Sequence, residues 1–304
     1  MKMTKKWLMI AAALLLVGLT LVLSVLAFYW GDWTAFNTVE PMEPVNQSIA
    51  GGEVTKLQVE LDSEDVRLVH TEGDSFHVQW YEGSSPRFQL ELGEDGTLKI
   101  EQTSFSGPLV QIDFSSVSRA LLIEVPASFA GTTELTNAAG DIAIRDLDLP
   151  GDLHCNSTSG SVDLRDVRVA GDLEAETVSG EIQALGASAS GTMTMISTAG
   201  DQQITRLQAQ NLYLHSASGQ MALGQIQISD NLTIETTSGD ITWQDLDAEQ
   251  IQISTTSGEV EGVLSGRYQV AAESVSGEID VTDAAMGSRL ASIQTVSGDI
   301  TIMQ

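Results

Sequence analysis

One cysteine, six prolines, 5% aromatic residues and 14 lysines and arginines stand in a chain of 304 residues. Each shortage excludes something. A single cysteine, Cys155, builds neither a disulfide framework nor a cysteine-based zinc site. Fourteen bases against 42 acids leave a formal net charge of −28, which disfavours a phosphate backbone as partner, because such binding rests on clustered Lys and Arg. No nucleic acid is therefore expected. Hydrophobic residues, at 42%, are in turn too plentiful for a disordered acidic tail. Bases thin out along the chain. Residues 1–49 are neutral overall, residues 50–130 carry −9, and residues 131–304 carry −19 with no lysine at all.

Between residues 7 and 31 no residue is charged. The stretch is rich in Leu, Val and Ala and exceeds the roughly 20 apolar residues a helix needs to span a bilayer. Lys2, Lys5 and Lys6 precede it, so the positive-inside rule places the N-terminus in the cytoplasm and the remainder outside. Trp7 on one flank and Phe28, Tyr29, Trp30 and Trp33 on the other suit interfacial aromatic belts. A cleaved signal peptide would have a shorter apolar core, about 7–15 residues, although Val25 and Ala27 would allow cleavage after Ala27. The expectation is a single-pass, uncleaved anchor at the cell membrane. Residues 1–6 form its cytoplasmic tail and 7–30 the span. Residues 31–52, with Pro41, Pro44, Gly51 and Gly52, are expected to form a linker.

Beyond residue 131 one motif dominates, Thr-x-Ser-Gly-Asp/Glu. Its glycines are Gly140, Gly160, Gly180, Gly200, Gly219, Gly239, Gly258, Gly277 and Gly298, always 19–21 residues apart. Apolar pairs stand two and four residues after each glycine, as in Ile142/Ile144, Val162/Leu164 and Ile241/Trp243. A second set stands seven and five residues before it, as in Leu153/Cys155, Leu212/Leu214 and Leu232/Ile234. Both alternate with polar residues, which is the period of a half-buried strand. The inward parity breaks at the glycine, so a corner belongs there, and glycine suits a corner that needs positive φ. Short strands and corners at this constant period specify a β-solenoid, each coil burying the inside of the next. About nine coils are expected over 131–304, in a rod roughly 40 Å long at strand spacing. Residues 54–61, 66–71, 76–81, 88–92, 98–101, 109–114 and 121–125 also alternate without the motif. They are expected to form an irregular β-rich cap over 53–130, as terminal repeats are atypical.

Leu122-Ile123-Glu124-Val125-Pro126 followed by the repeated Thr-x-Ser-Gly-Asp/Glu-Ile resembles the bacterial putative-adhesin family of β-strand repeats, formerly a domain of unknown function. That family includes LiaG-like membrane-anchored envelope proteins from a Gram-positive stress operon. The resemblance covers about residues 50–304. It implies an all-β repeat fold and a place in the cell envelope, and it brings no catalytic residues. Asn137-Ala138-Ala139, Thr198-Ala199 and Gln202 depart from the pattern.

Aligning the coils on glycine gives three columns with chemical content. A hydroxyl lies three residues before the glycine (Ser157, Thr177, Ser197, Ser216, Thr236, Thr255, Ser274, Thr295). It is expected inside, as a ladder bonding coil to coil. An acid follows the glycine (Asp141, Glu181, Asp201, Asp240, Glu259, Glu278, Asp299). Stacked carboxylates could share calcium, but Ser161 and Gln220 interrupt the column, and hydrated turn carboxylates account for it. Arg145 and Arg165 lie one period apart, with Asp146 and Asp166 beside them, and read as balanced charges on a solvated face. His70, His77, His154 and His215 show no metal spacing, and Cys155 stands in an apolar column as a small buried residue. No catalytic, cofactor or metal site is expected.

The resulting expectation is a non-catalytic, membrane-anchored extracellular β-solenoid acting in adhesion or the envelope. Two other readings stand beside it: an accessory to a membrane signalling system, and a glycan-processing β-helix enzyme. The expected partners are the membrane, a cell-envelope polymer or a membrane protein. At the C-terminal edge residues 296–304 would leave Ile300 and Ile302 on an uncovered strand, and two readings stand there: cover by a partner or by self-association with a second copy, or a monomer whose short edge is blunted by Asp280, Asp283 and Asp299.

Overall fold

Alternating apolar residues on either side of a regular corner need a neighbour to cover their inner face, and coil stacking provides it. The computed structural model describes residues 42–83, 87–103, 120–282 and 287–304, with Thr20 besides. These form an all-β solenoid of about eight turns. One unit, Met42–Gly107 with Val117–Gln304, holds all of it; the other, Met1–Pro41 with Pro108–Ser116, lies outside the described residues except for Thr20. Among the described residues no helix is long and apolar enough to cross a membrane. The span expected at 7–30 and the strand expected at 109–114 fall outside them.

Two sheets, of 14 and 12 strands, carry the coils. Successive coils pair in parallel and in register. Ile142–Leu149 lies beside Val162–Val169, with Ile142 against Val162 and Ile144 against Leu164. Leu153–Ser157 lies beside Leu173–Thr177, with Cys155 against Ala175. The apolar positions read from the repeat line the core: Ile142, Ile144, Leu153, Cys155, Leu232 and Ile234 are all buried. Burial pushes the Cys155 thiol far above its ordinary pKa, so it is an inert apolar filler.

The corner glycines serve a different purpose from the one expected. None from Gly140 to Gly277 has positive φ. Their backbones instead approach one another across coils. A Cβ on Gly160 would lie 2.0 Å from the carbonyl oxygen of Gly140, and one on Gly180 would lie 2.0 Å from that of Gly160. The requirement is the missing side chain. Positive φ occurs at a second corner, midway along the longer strands, at Asp146, Asp166, Arg206, Gln225 and Asp245, with φ between 49° and 62°, and at Gly186 with φ 74°. There the ladder skips a residue, pairing Arg165 with Arg145 and then Val167 with Leu147. An L-residue in this conformation costs about 1–2 kcal/mol. Arg206→Gly is therefore expected to stabilise the chain, by up to about 1 kcal/mol after the extra chain entropy of glycine. A denaturant midpoint lower than the parent's would contradict this.

Ahead of the repeats, residues 53–130 are more solenoid-like than expected. Lys56–Leu61 runs parallel to Thr132–Asn137, and Val66–Thr71 runs parallel to Ile142–Leu149, in the same register as later coils. Glu64 takes the glycine's place there: a Cβ on Gly140 would meet its carbonyl oxygen at 2.4 Å. True capping begins beyond. Ser75–Glu82 and Glu43–Ala50 add antiparallel strands at the end of one sheet, and Phe88–Leu92 closes the other. Phe76 packs edge-on against Phe129, and Trp80 against Phe88. The linker expected over 31–52 is thus, from Glu43 on, an edge strand, because Ile49 and Val45 alternate against the cap's core.

At the other end the coils are out of sequence order. Ile300–Met303 pairs with Val260–Leu264 on one side and Ile279–Thr282 on the other. Arg289–Ser297 likewise lies between Gln250–Ser257 and Tyr268–Ser276. The last coil in sequence is the second-to-last in space. Ile300 and Ile302, expected on an uncovered edge, are 0% exposed. The covered coil places Ala291, Ile293, Ile300 and Ile302 inside, and the outer coil sets Val270, Ala272, Ile279 and Val281 against them, with Tyr268 fully buried.

Candidate functional site

The three sequence columns are largely consumed by the fold. Ser157, Thr177 and Ser197 each accept the N–H of the glycine three residues on, at 2.9, 3.0 and 2.8 Å. Thr177 Oγ1 also donates to the carbonyl of Gly160 in the preceding coil, at 3.1 Å. From Ser216 onward the mode changes: Ser216, Thr236, Thr255 and Thr295 are buried with no hydrogen-bond partner for the hydroxyl, while Ser274 donates to the Gly298 carbonyl at 3.1 Å. In the acid column, Asp141, Asp201, Asp240 and Asp299 each accept the N–H at the matching position of the next coil, at 2.8–3.0 Å. Asp65 does the same for Asp141, marking Ser63-Glu64-Asp65-Val66 as a repeat corner that the glycine search missed. The carboxylates act as coil-to-coil staples. Among the described residues no group of three or more His, Cys, Asp and Glu is placed to hold a metal ion.

Arg145 and Arg165 do converge, but on Asp163, at 3.1 and 2.8 Å, and not on Asp146 or Asp166. The latter two form the positive-φ corner. His154 Nδ1 lies 2.9 Å from Glu174, and His215 stacks on Tyr213; His70 and His77 are exposed. The irregular Gln202 is fully buried in a strand position that elsewhere holds Ile, Val or Met. Its amide donates to the His215 carbonyl at 2.8 Å, and its Oε1 has no partner.

What sequence alignment passed over is a groove of about 1340 Å³ along one flank, running across six coils. One wall is the column eight residues after each corner glycine: Asp148, Arg168, Ser188, Gln208, Gln227 and Asp247, paired rung by rung. Its floor is Leu149, Val169, Ala189, Ala209, Ile228 and Ala248, all buried. Small alanines in the middle make the concavity. Polar groups are linked along the axis. Arg168 bonds Asp148 at 2.8 Å, Gln208 donates to Gln227 at 3.2 Å, and Gln210 donates to Asp230 at 2.8 Å. At one end Arg289 reaches Asp247 and the Ala248 carbonyl, and its guanidinium lies 4.5 Å over the Tyr268 ring. Burial pushes the Tyr268 phenol up to about 12, so it stays neutral; its one proton lies within reach of Asp247 and the Ala248 carbonyl, and its oxygen accepts the Ala248 N–H. Alignment hid this column because no residue type runs through it: Asp, Arg, Ser and Gln all stand there.

The arrangement is a repeat-built, polar-walled trough on a rod, and the sequence comparison agrees with the repeat architecture. Residues 54–302 match the Toastrack family, DUF4097. The chain belongs to the Toastrack family. Two solved structures are similar to it. A putative adhesin from Bacteroides fragilis is 14% identical, with TM-score 0.44 over 86% of this chain and 97% of its own. A putative cell adhesion protein from Clostridium sporogenes is 10% identical, with TM-score 0.27 over 87% of this chain and 100% of its own. No curated protein matches. In this Toastrack chain the groove is lined by polar groups of six successive coils, several of them bonded to one another along the axis.

Proposed function

We propose that this Toastrack chain is a non-catalytic rod, anchored in the cell membrane by residues 7–30 and displayed outside it, whose flank groove holds a linear glycan of the cell envelope. The observation that carries the reading is the groove. It presents amides, hydroxyls and ion-paired groups at a regular rung spacing of about 4.8 Å, above small apolar residues. Its axis runs across the strands, so a peptide lying in it could not extend either sheet. A polymer of hydroxyl and acetamido groups finds donors and acceptors at every rung. The charged wall residues are mostly paired, and the net charge of −28 repels polyanions.

Non-catalytic action is supported by the fate of the acids, which staple coils and do not converge. Co-sedimentation of the full chain with purified envelope glycan should show binding. Gln208→Ala with Gln227→Ala should weaken it roughly tenfold or more, for two lost hydrogen bonds of about 1 kcal/mol each. Release of new reducing ends from that glycan would overturn the non-catalytic reading. For location, protease added to intact protoplasts should digest residues 43–304; their full protection would overturn the extracellular placement.

A further inference from the structure

The two ends of the solenoid differ. One is closed by the antiparallel strands around Phe76 and Trp80. The other ends on Tyr268–Ser276 and Ile279–Thr282, the last strands of both sheets. Nothing among the described residues covers them. Val270, Ala272 and Val281 point at the core yet are only partly buried, and Ile279 is 42% exposed. Of the eight large hydrophobics exposed among the described residues, five lie in these last two coils: Val275 at 83%, Ile279, Leu290, Val296 and Met303. An unpaired strand edge with part-exposed inward positions can template a further strand.

We propose that this open end accepts an extended segment of a different protein, which adds as a further strand beside Tyr268–Ser276, with apolar residues facing the core and a basic residue beside Glu273. The inward positions of the edge strand, Val270 and Ala272, need apolar cover. Of its outward positions Gln269, Ala271, Glu273 and Val275, Glu273 is the charged one, and a cross-strand pair of opposite sign there stabilises while like signs destabilise. Glu278 and Asp280 continue the acidic rim. The same rim disfavours a second copy, which in an end-to-end pairing would set Glu273, Glu278 and Asp280 against their own kind on chains of charge −28. This inference is independent of the groove and of its ligand.

Fluorescence anisotropy of the full chain with two labelled nine-residue peptides tests it, one alternating Lys and Val, the other Glu and Val. The basic peptide should bind at least roughly tenfold more tightly. Ala272→Lys, a charge at an open inward position, should abolish that binding. Glu273→Lys with Glu278→Lys, both on exposed surface and so neutral for folding, should reverse the preference. Equal binding of the basic peptide to parent and all variants would reduce it to diffuse attraction by an acidic protein and overturn the proposal. So would failure of both peptides to bind, or a concentration-dependent dimer on sedimentation that Ala272→Lys dissolves, which would make a second copy the occupant.

Discussion

Gly180→Ala should be among the most damaging single substitutions in the chain, lowering stability by about 3 kcal/mol or more. The added methyl would stand 2.0 Å from the carbonyl oxygen of Gly160 and 2.5 Å from its carbonyl carbon. These are backbone atoms held in register by the strands on either side, with Ile182 paired to Val162 and Thr177 to Ser157. A flexible side chain could turn away, whereas a backbone held in the ladder cannot without parting the coils. Gly200 stacks on Gly180 in the same way, so the strain passes to the next coil. Gly52→Ala is the control. A Cβ there meets nothing within 4 Å, and the change should stay within about 0.5 kcal/mol. Chemical denaturation of the two variants beside the parent makes the comparison. Equal midpoints would show that the corners do not stack this closely.

Ile234→Asp should be of similar or greater effect, above about 4 kcal/mol or enough to prevent folding. Ile234 is 0% exposed, in the column between Leu214 and Ile253. A carboxylate there would have no cationic partner, since the residues in register with it are aliphatic. Burying an unpaired charge is far costlier than removing a methyl group, so the variant either folds with a neutral acid or does not fold. Thr233→Asp, one residue away and on the outer face, changes the same charge without burial and should be tolerated. Loss of the cooperative transition in the first and its retention in the second would verify the inward register; the reverse pattern would mean that the strand is read one residue out.

Much of this architecture was legible along the chain. Period-2 alternation gave the strands because each coil buries one face and wets the other. Even the irregular region yielded strands close to those expected, as at Val66–Thr71 and Phe88–Leu92. Residues 62–65 escaped as a corner because Glu64 stands where later coils have glycine, although Asp65 keeps the acid's bond to the next coil. The groove escaped for a related reason. Its wall mixes Asp, Arg, Ser and Gln, so no residue type announces the column, and only stacking makes it continuous.

The sequence alone determined the repeat length, the inward residues and the acidic surface, because these depend on local alternation and on charge counts. Three things were decided only in three dimensions. Glycine at the corners from Gly160 to Gly277 is required by the carbonyl of a coil 19–21 residues away, a contact that no local φ argument contains. Positive φ fell to Asp146, Asp166, Arg206, Gln225 and Asp245; Asp tolerates it more readily than most residues, but Arg206 and Gln225 are held there by the ladder on both sides. The order of the last coils was set by long-range pairing: Ile293, Ile300 and Ile302 took the covered place beside Ile253 and Val260, and Val270 and Ala272 were left at the open end. Stacking order is a competition between coils for cover, and its outcome depends on which faces meet, which the linear order of the chain does not state.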